Sequence, residues 1–430
     1  MDNPENVLII GSGVAGMEAS LMLSKAGKKV YLVENLPIIG GKIIKNEESF
    51  PNMDCSTCLV APIQQEILQD ANIEVLTLST VEKVAGKPGD FKVTIRKKAR
   101  YVSLEACLGC GMCYPVCPVV LKNEWEENLM DKKAVYVPCS GSLPNVPVVD
   151  ASECLLLNGK DKSCNKCVEA CMFGAMDFSQ KDEEIKLDVT GIIVATGFEL
   201  FNVQELENLG YGKYPGVYTA FEFERLFASN GPTEGKLFLR DSEKTPDSVA
   251  IVHCVGRDEV GYCSNICCMS SSKHARFIKH NLHDAKIYNI YSDICLTDKS
   301  YQKFFDETKS HDSEFIFQSD RKKMNITKKD GKLEVSYFNG KETKESLLVD
   351  MVILANALRP SDTIEELTKA LEIKRDSFGF IETEPSKIGS VETSRSGIFV
   401  AGCAEGPKDV QGSVIQSEAA VAGILSMLDQ

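Results

Sequence analysis

The sequence predicts an α/β fold: two dinucleotide-binding units on parallel sheets, the first split by an inserted cysteine-rich domain. Three observations predict it. An apolar run meets a glycine turn at Val7–Gly16, and a second buried strand and helix fill 248–280. Between them, a C-x2-C-x2-C-x3-C run at 107–117 breaks the pattern.

Val7, Leu8, Ile9 and Ile10 are continuously apolar, as in a parallel strand buried on both faces. Gly11-Ser12-Gly13-Val14-Ala15-Gly16 follows, then a predicted helix over 17–26, Gly27, and a strand over 29–33 ending in Glu34 and Asn35. The glycines permit a tight turn and let backbone N–H groups reach a pyrophosphate at the helix N-terminus. Glu34 lies 34 − 16 = 18 residues beyond Gly16, where a carboxylate takes ribose hydroxyls. Packing of helix on strand would explain the glycines alone; strand, turn, helix, strand and acid together point to a nucleotide.

Two features select FAD for this site. Pro37-Ile38-Ile39-Gly40-Gly41-Lys42 resembles the glycine pair after the acid in two-dinucleotide-binding flavoproteins. Gly191-Ile192-Ile193-Val194-Ala195-Thr196-Gly197 resembles their second buried strand and its ATG turn. Gly397-Ile398-Phe399-Val400-Ala401-Gly402 is similar to the strand that brings a residue beneath the ribityl chain, with Cys403 where those families carry Asp.

Cys107, Cys110, Cys113 and Cys117, the last followed by Pro118, form a bacterial-ferredoxin run. Cys154, Cys164, Cys167 and Cys171 form its second half, with a nine-residue first spacer and Met172 in place of Pro. Two-cluster ferredoxins exchange their fourth ligand. One [4Fe–4S] cluster is therefore expected on Cys107, Cys110, Cys113 and Cys171, and another on Cys154, Cys164, Cys167 and Cys117. Structural zinc is the alternative, but it favours two CxxC pairs separated by a longer loop.

The second unit opens with Ser248-Val249-Ala250-Ile251-Val252-His253. A nicotinamide-binding glycine turn should follow; instead come Cys254, Gly256, Cys263, Cys267 and Cys268 in a C-x8-C-x3-C-C spacing. Four thiols between a strand and a helix suggest a third [4Fe–4S] cluster, with inert buried cysteines as the alternative.

Over nearly its whole length the chain resembles the A-subunits of heterodisulfide reductases. The resemblance rests on Phe50-Pro51-Asn52-Met53-Asp54-Cys55-Ser56-Thr57-Cys58, the ferredoxin-type insert, Tyr262-Cys263-Ser264-Asn265-Ile266-Cys267-Cys268-Met269 and Gly406-Pro407-Lys408-Asp409. It implies a thioredoxin-reductase-like flavoprotein: an FAD domain over 1–100, 181–235 and 371–430, a ferredoxin-like domain over 101–180, and a degenerate nicotinamide-type domain over 236–370. The motif of a distant Cys before C-x3-C-C maps onto Cys254, Cys263, Cys267 and Cys268, with a shorter spacer than in methanogen members. Val81 and Val410 join the expected flavin contacts, and Lys408 reads either as a residue that tunes the flavin or as a solvated surface lysine. The expected protein is the short bacterial form, like the FAD and iron–sulfur subunit of class II benzoyl-CoA reductase-type complexes. Its implied partners are the B- and C-like components of such complexes and hydrogenase- or ferredoxin-linked proteins, in a hetero-oligomer, with dimerisation of this chain as a further option.

Composition bounds this reading. With 48 basic and 62 acidic residues the formal charge is −14, against a nucleic-acid or anionic-membrane partner. No apolar stretch approaches the ~18 residues of a membrane span, and the N-terminus carries no secretory signature. Seventeen cysteines in such a chain point to metal or redox chemistry in a reducing cytoplasm, and the family resemblance implies an anaerobic setting. Cys55 and Cys58 read as a redox disulfide, a ligand pair or two loop thiols, and Cys139 and Cys295 as core or loop residues. The basic stretch from Lys322 through Lys323, Lys328 and Lys329 to Asp330 reads as an exposed hairpin. The function expected is electron transfer between flavin and clusters, with bifurcation as one form. The rivals are a stand-alone NAD(P)H-dependent oxidoreductase and a zinc- and nucleotide-holding scaffold.

Overall fold

The computed structural model describes residues 5–240, 242, 244–311, 313–384 and 390–429. Residues 1–4, the start of the N-terminal segment read above, lie outside it. Asn6–Ile10 (β1) leads through the glycine turn into Val14–Lys25 (α1) and Lys29–Val33 (β2). Ser56–Gln69 (α2) returns the chain to Ile73–Leu76 (β3). An antiparallel sheet of Ser79–Lys87 (β4), Asp90–Lys97 (β5) and Glu183–Val189 (β6) then brackets the insert, with Val93 paired to Leu187 across it. Those two strands bring the ends of the 98–182 segment together, so it can be inserted without breaking the sheet.

Gly191–Val194 (β7) re-enters the first sheet. Val217–Thr219 (β8), Ala220–Phe227 (α3), Ser248–Val255 (β9), Cys267–Asn281 (α4), Lys286–Tyr291 (β10), Glu314–Phe317 (β11) and Met351–Asn356 (β12) build the second unit. Ile398–Val400 (β13) and Val410–Leu428 (α5) close the first. The sheet orders are β13-β7-β1-β2-β3 and β8-β12-β9-β10-β11, each parallel throughout. β1, β7, β9 and β12 are almost wholly apolar, as strands covered on both faces must be.

The second sheet begins at Val217, inside the 181–235 range expected of the first unit. Three residues carry too little periodicity to reveal which sheet they join. The basic stretch does form a hairpin, Asn325–Lys329 against Lys332–Phe338. Among the described residues no helix is long and apolar enough to cross a membrane.

Candidate functional site

The glycine turn shows why each glycine stands where it does. Gly11 has φ +103°, and a Cβ there would lie 2.4 Å from the Ala195 carbonyl oxygen. A Cβ on Gly16 would lie 1.8 Å from the Gly11 carbonyl oxygen, so these two permit helix to pack on strand. Gly13 differs. Its φ is an ordinary −74°, and a Cβ there would meet only the Gly41 Cα, at 4.0 Å. Gly13 caps α1 with no side-chain bond, leaving the first-turn N–H groups and the positive helix end for a ligand.

Glu34 stands directly after β2. Its carboxylate accepts from Ser12 N at 2.9 Å, Ser12 Oγ at 2.6 Å and Leu36 N at 2.8 Å. One cavity of about 1060 Å³ begins here and is lined by Gly11, Gly13, Val14, Ala15, Glu34, Asn35, Gly41, Lys42, Val81, Ala195, Thr196, Gly197, Gly402, Cys403, Lys408 and Val410. Of the expected flavin contacts only Gly16 does not line it. Thr196 Oγ1 is buried there without a partner, and such orphans are rare unless a ligand or water satisfies them. The residues fit a dinucleotide. Lys408 is ion-paired with Glu405, and Lys42 with Glu199 at 2.8 Å. Burial pushes the Cys403 thiol up, and its Sγ donates to the Lys408 carbonyl at 3.3 Å.

The insert gathers its thiols into two groups. Cys107, Cys110, Cys113 and Cys171 line one small cavity with Leu108, Met112 and Phe173. Burial pushes Cys113 up to about 12, with Cys107, Cys167 and Cys171 among the charges it feels. Cys167, pushed up to about 11 by burial, feels Cys154, Cys117 and Cys164. Cys117 and Cys171 thus face the sets opposite to their own sequence runs.

Cys254, next to last in β9, has φ +59°, unusual for a residue with a Cβ, and burial raises its thiol, with Cys268 and Arg257 beside it. Cys267 and Cys268 open α4. A hydrogen bond from Cys267 holds Cys268 low, and the same bond pushes Cys267 up. Cys295 lies in the loop after β10, as a core-or-loop reading allows, but it is not apart from the third thiol group. Its N–H donates to Cys268 Sγ at 3.5 Å, and Cys263 is among its neighbours. It lies 27 residues from Cys268, so only the return of the chain through β10 joins them and no local spacing could reveal it. In the second unit's turn, a Cβ on Gly256 would lie 2.4 Å from the Phe201 ring.

Among the described residues no three His, Cys, Asp or Glu side chains close round a point as a single metal ion demands; a cubane needs its thiolates spread around a larger body. Cys55 caps α2, its Sγ accepting from Cys58 N at 3.2 Å, and the hydrogen bond between the two thiols pushes exposed Cys58 up. Cys139 is buried beside Ser142.

Sequence reasoning missed a buried charge group on the same cavity. Burial would raise the Glu224 carboxyl, but Lys273 and His274 hold it down to about 2. The unfolded chain binds this proton more readily, near 4.5, so the group's stabilisation is complete above that value and is lost as pH falls toward 2. Urea midpoints of the parent and of Glu224→Gln should therefore converge as pH is lowered through that window; a gap constant with pH would contradict the assignment.

Comparisons with known proteins bear on this site. A family model described as pyridine nucleotide-disulphide oxidoreductase matches residues 1–112. Over 97% of the chain, 36% of residues are identical to the A-subunit of the H(2):CoB-CoM heterodisulfide,ferredoxin reductase of Methanothermobacter marburgensis, of which it covers 63%. Against a heterodisulfide reductase A-subunit-like protein of Archaeoglobus profundus, identity is 34%, covering all of this chain and 67% of that one. Against a heterodisulfide reductase A-subunit of Methanosarcina acetivorans, the chain spans 53% of the relative at 36% identity. Among solved structures it is similar to T. acidophilum thioredoxin reductase, with TM-score 0.54, 12% identity and coverage of 99% and 100%. Lactococcus lactis thioredoxin reductase follows, with TM-score 0.53, 15% identity and 99% of each chain. At these identities the two structures show the fold, that of a two-dinucleotide-binding flavoprotein.

Proposed function

The chain belongs to the heterodisulfide reductase A-subunit family, and on that premise we propose that it is a flavin and iron–sulfur electron-transfer subunit of a larger oxidoreductase complex. FAD when bound exchanges electron pairs, whereas [4Fe–4S] clusters pass electrons singly. A protein with one FAD and three clusters splits or merges electron pairs, and bifurcation is the finer form of this reading. The observation that carries it is that Cys267 lines the same cavity as Gly13 and Glu34. One thiol of the third group, Cys267, is thus in the wall of the cavity read as the flavin site.

The residues have separable tasks. The α1 N-terminus and Gly13 receive the pyrophosphate, and Glu34 anchors the ribose. Lys408 is read as standing by the ring and Cys403 beneath the ribityl chain. Cys107, Cys110, Cys113 and Cys171 hold one cluster, Cys117, Cys154, Cys164 and Cys167 a second, and Cys254, Cys263, Cys267 and Cys268 the third. Leu108 (68% exposed), Met112 (53%) and Met172 (82%) form an apolar rim on the insert, which supports docking of a partner protein there. Electrons enter and leave through such partners, because the turn after β9 carries thiols where a nicotinamide site has glycines.

Anaerobic purification with iron, sulfide and flavin quantitation tests this directly. About 12 iron atoms and one FAD per chain are expected from three cubanes, and NADH should leave the flavin oxidised. About eight iron would remove the third cluster, and prompt bleaching by NADH would restore the stand-alone reductase.

A further inference from the structure

The cavity does not stop at the first unit. Cys267, Ser270, Ser271 and His274 of α4 line it together with Glu224 of α3. Cys267, Ser271 and His274 are spaced i, i+4, i+7, so one face of one helix presents a thiol, a hydroxyl and an imidazole. Ser271 is fully buried and His274 is 2% exposed, yet Ser271 Oγ and His274 Nδ1 have no hydrogen-bond partner. Buried polar atoms left unpaired cost free energy, and here they sit on the wall of a ligand-sized space.

The surroundings of His274 fix its chemistry. His274 Nε2 lies 2.6 Å from Glu224 Oε1. Burial holds the imidazole below its usual value and neutral, with Glu224, Lys273 and His253 the charges that face it. Lys273 is ion-paired with the same Glu224 oxygen. A neutral ring beside an ionised carboxylate carries its hydrogen on Nε2 and donates it to Glu224. Nδ1 then keeps a bare lone pair, the state of a general base oriented by an acid.

We infer that His274 is the proton acceptor for the flavin of this cavity, on the helix that also carries its electron acceptor. Clusters take electrons and no protons. Oxidation of bound anionic reduced flavin would release two electrons and one ring proton: the electrons would pass singly into the cluster that Cys267 would help to hold, the first moving on to the next acceptor before the second arrives, while the ring N–H bond breaks and an Nδ1–H bond forms on His274. Glu224 balances the imidazolium charge. In the reverse direction the clusters return the electrons and His274 returns the proton. Ser271, one turn before His274, can carry the proton between them. The inference rests on the flavin reading above.

The test is flavin reoxidation in reduced, anaerobic protein mixed with a one-electron acceptor, for the parent and for His274→Gln, over about pH 6 to 9. The variant should keep the parent's iron, sulfide and FAD, and reoxidise roughly 100-fold more slowly. It should also lose the parent's pH profile and regain rate with added imidazole. An unchanged rate and profile, or a loss that imidazole does not restore, overturns the inference. Should His274→Gln not fold, the parent decides: a slower reoxidation in D2O than in H2O supports proton transfer in the rate-limiting step, and equal rates overturn it. A chain that takes up no FAD sinks the flavin reading itself. Bound FAD with no effect at His274 sinks this inference alone.

Discussion

Gly13→Ala is expected to fold at least as well as the parent and to bind FAD more weakly. The backbone at Gly13 is ordinary, and an added methyl would meet only the Gly41 Cα, at 4.0 Å. At such a position Ala stabilises by about 0.4–1 kcal/mol, because the unfolded chain has less freedom to lose. The methyl would, however, stand at the α1 N-terminus, where a pyrophosphate needs close approach to the backbone. Losing one charge-assisted hydrogen bond costs ~1.5–3 kcal/mol, or about 10- to 100-fold in FAD affinity. FAD titration of the apoprotein beside a urea melt separates the two effects. Parent-like FAD binding would mean that the cavity holds something other than a dinucleotide in this register. Gly16→Ala could not answer the question: its Cβ would lie 1.8 Å from the Gly11 carbonyl oxygen, so flavin loss would report a broken turn.

That contrast marks what a sequence can reveal. GxGxxG announces itself because its glycines, strand and acid are neighbours along the chain. Most of the other expected flavin contacts share one cavity because they follow strands of one parallel sheet. The ferredoxin-type thiols are legible for a similar reason: the short loops that must wrap a cluster leave a short spacing. Cys295 is not legible, since it reaches Cys268 only through β10 and the loop beyond. The start of the second unit escapes notice because β8 is three residues long. His274 and Glu224 lie on different helices, 50 residues apart, and each alone looks like an ordinary helical residue. Contacts made by packing whole units leave no periodicity behind.

The largest stability effect is expected from such a contact. Arg225→Met should destabilise the protein by about 3–5 kcal/mol, the cost of leaving a buried charge without its partner. Arg225 is fully buried in α3, and Glu126, in the insert, is 2% exposed. Arg225 Nε and Nη2 donate to the two Glu126 oxygens at 2.7 and 3.1 Å, and Nη1 donates to the Lys45 carbonyl at 2.9 Å. One guanidinium thereby ties the second unit to both the insert and the first unit, which also fixes the third thiol group relative to the flavin cavity. Burial raises the Glu126 carboxyl even with Arg225 beside it, and without Arg225 it should rise further. A carboxyl raised in the folded state binds more protons there than in the unfolded chain, so its stabilisation is lost as pH rises through the folded value. The deficit of Arg225→Met in urea midpoint should therefore be small in acid and full at neutral pH. Adding Glu126→Leu should recover most of it, because two apolar groups leave no charge unpaired. A deficit that stays the same in the double variant would mean that the bond to the Lys45 carbonyl, rather than the ion pair, holds the units together.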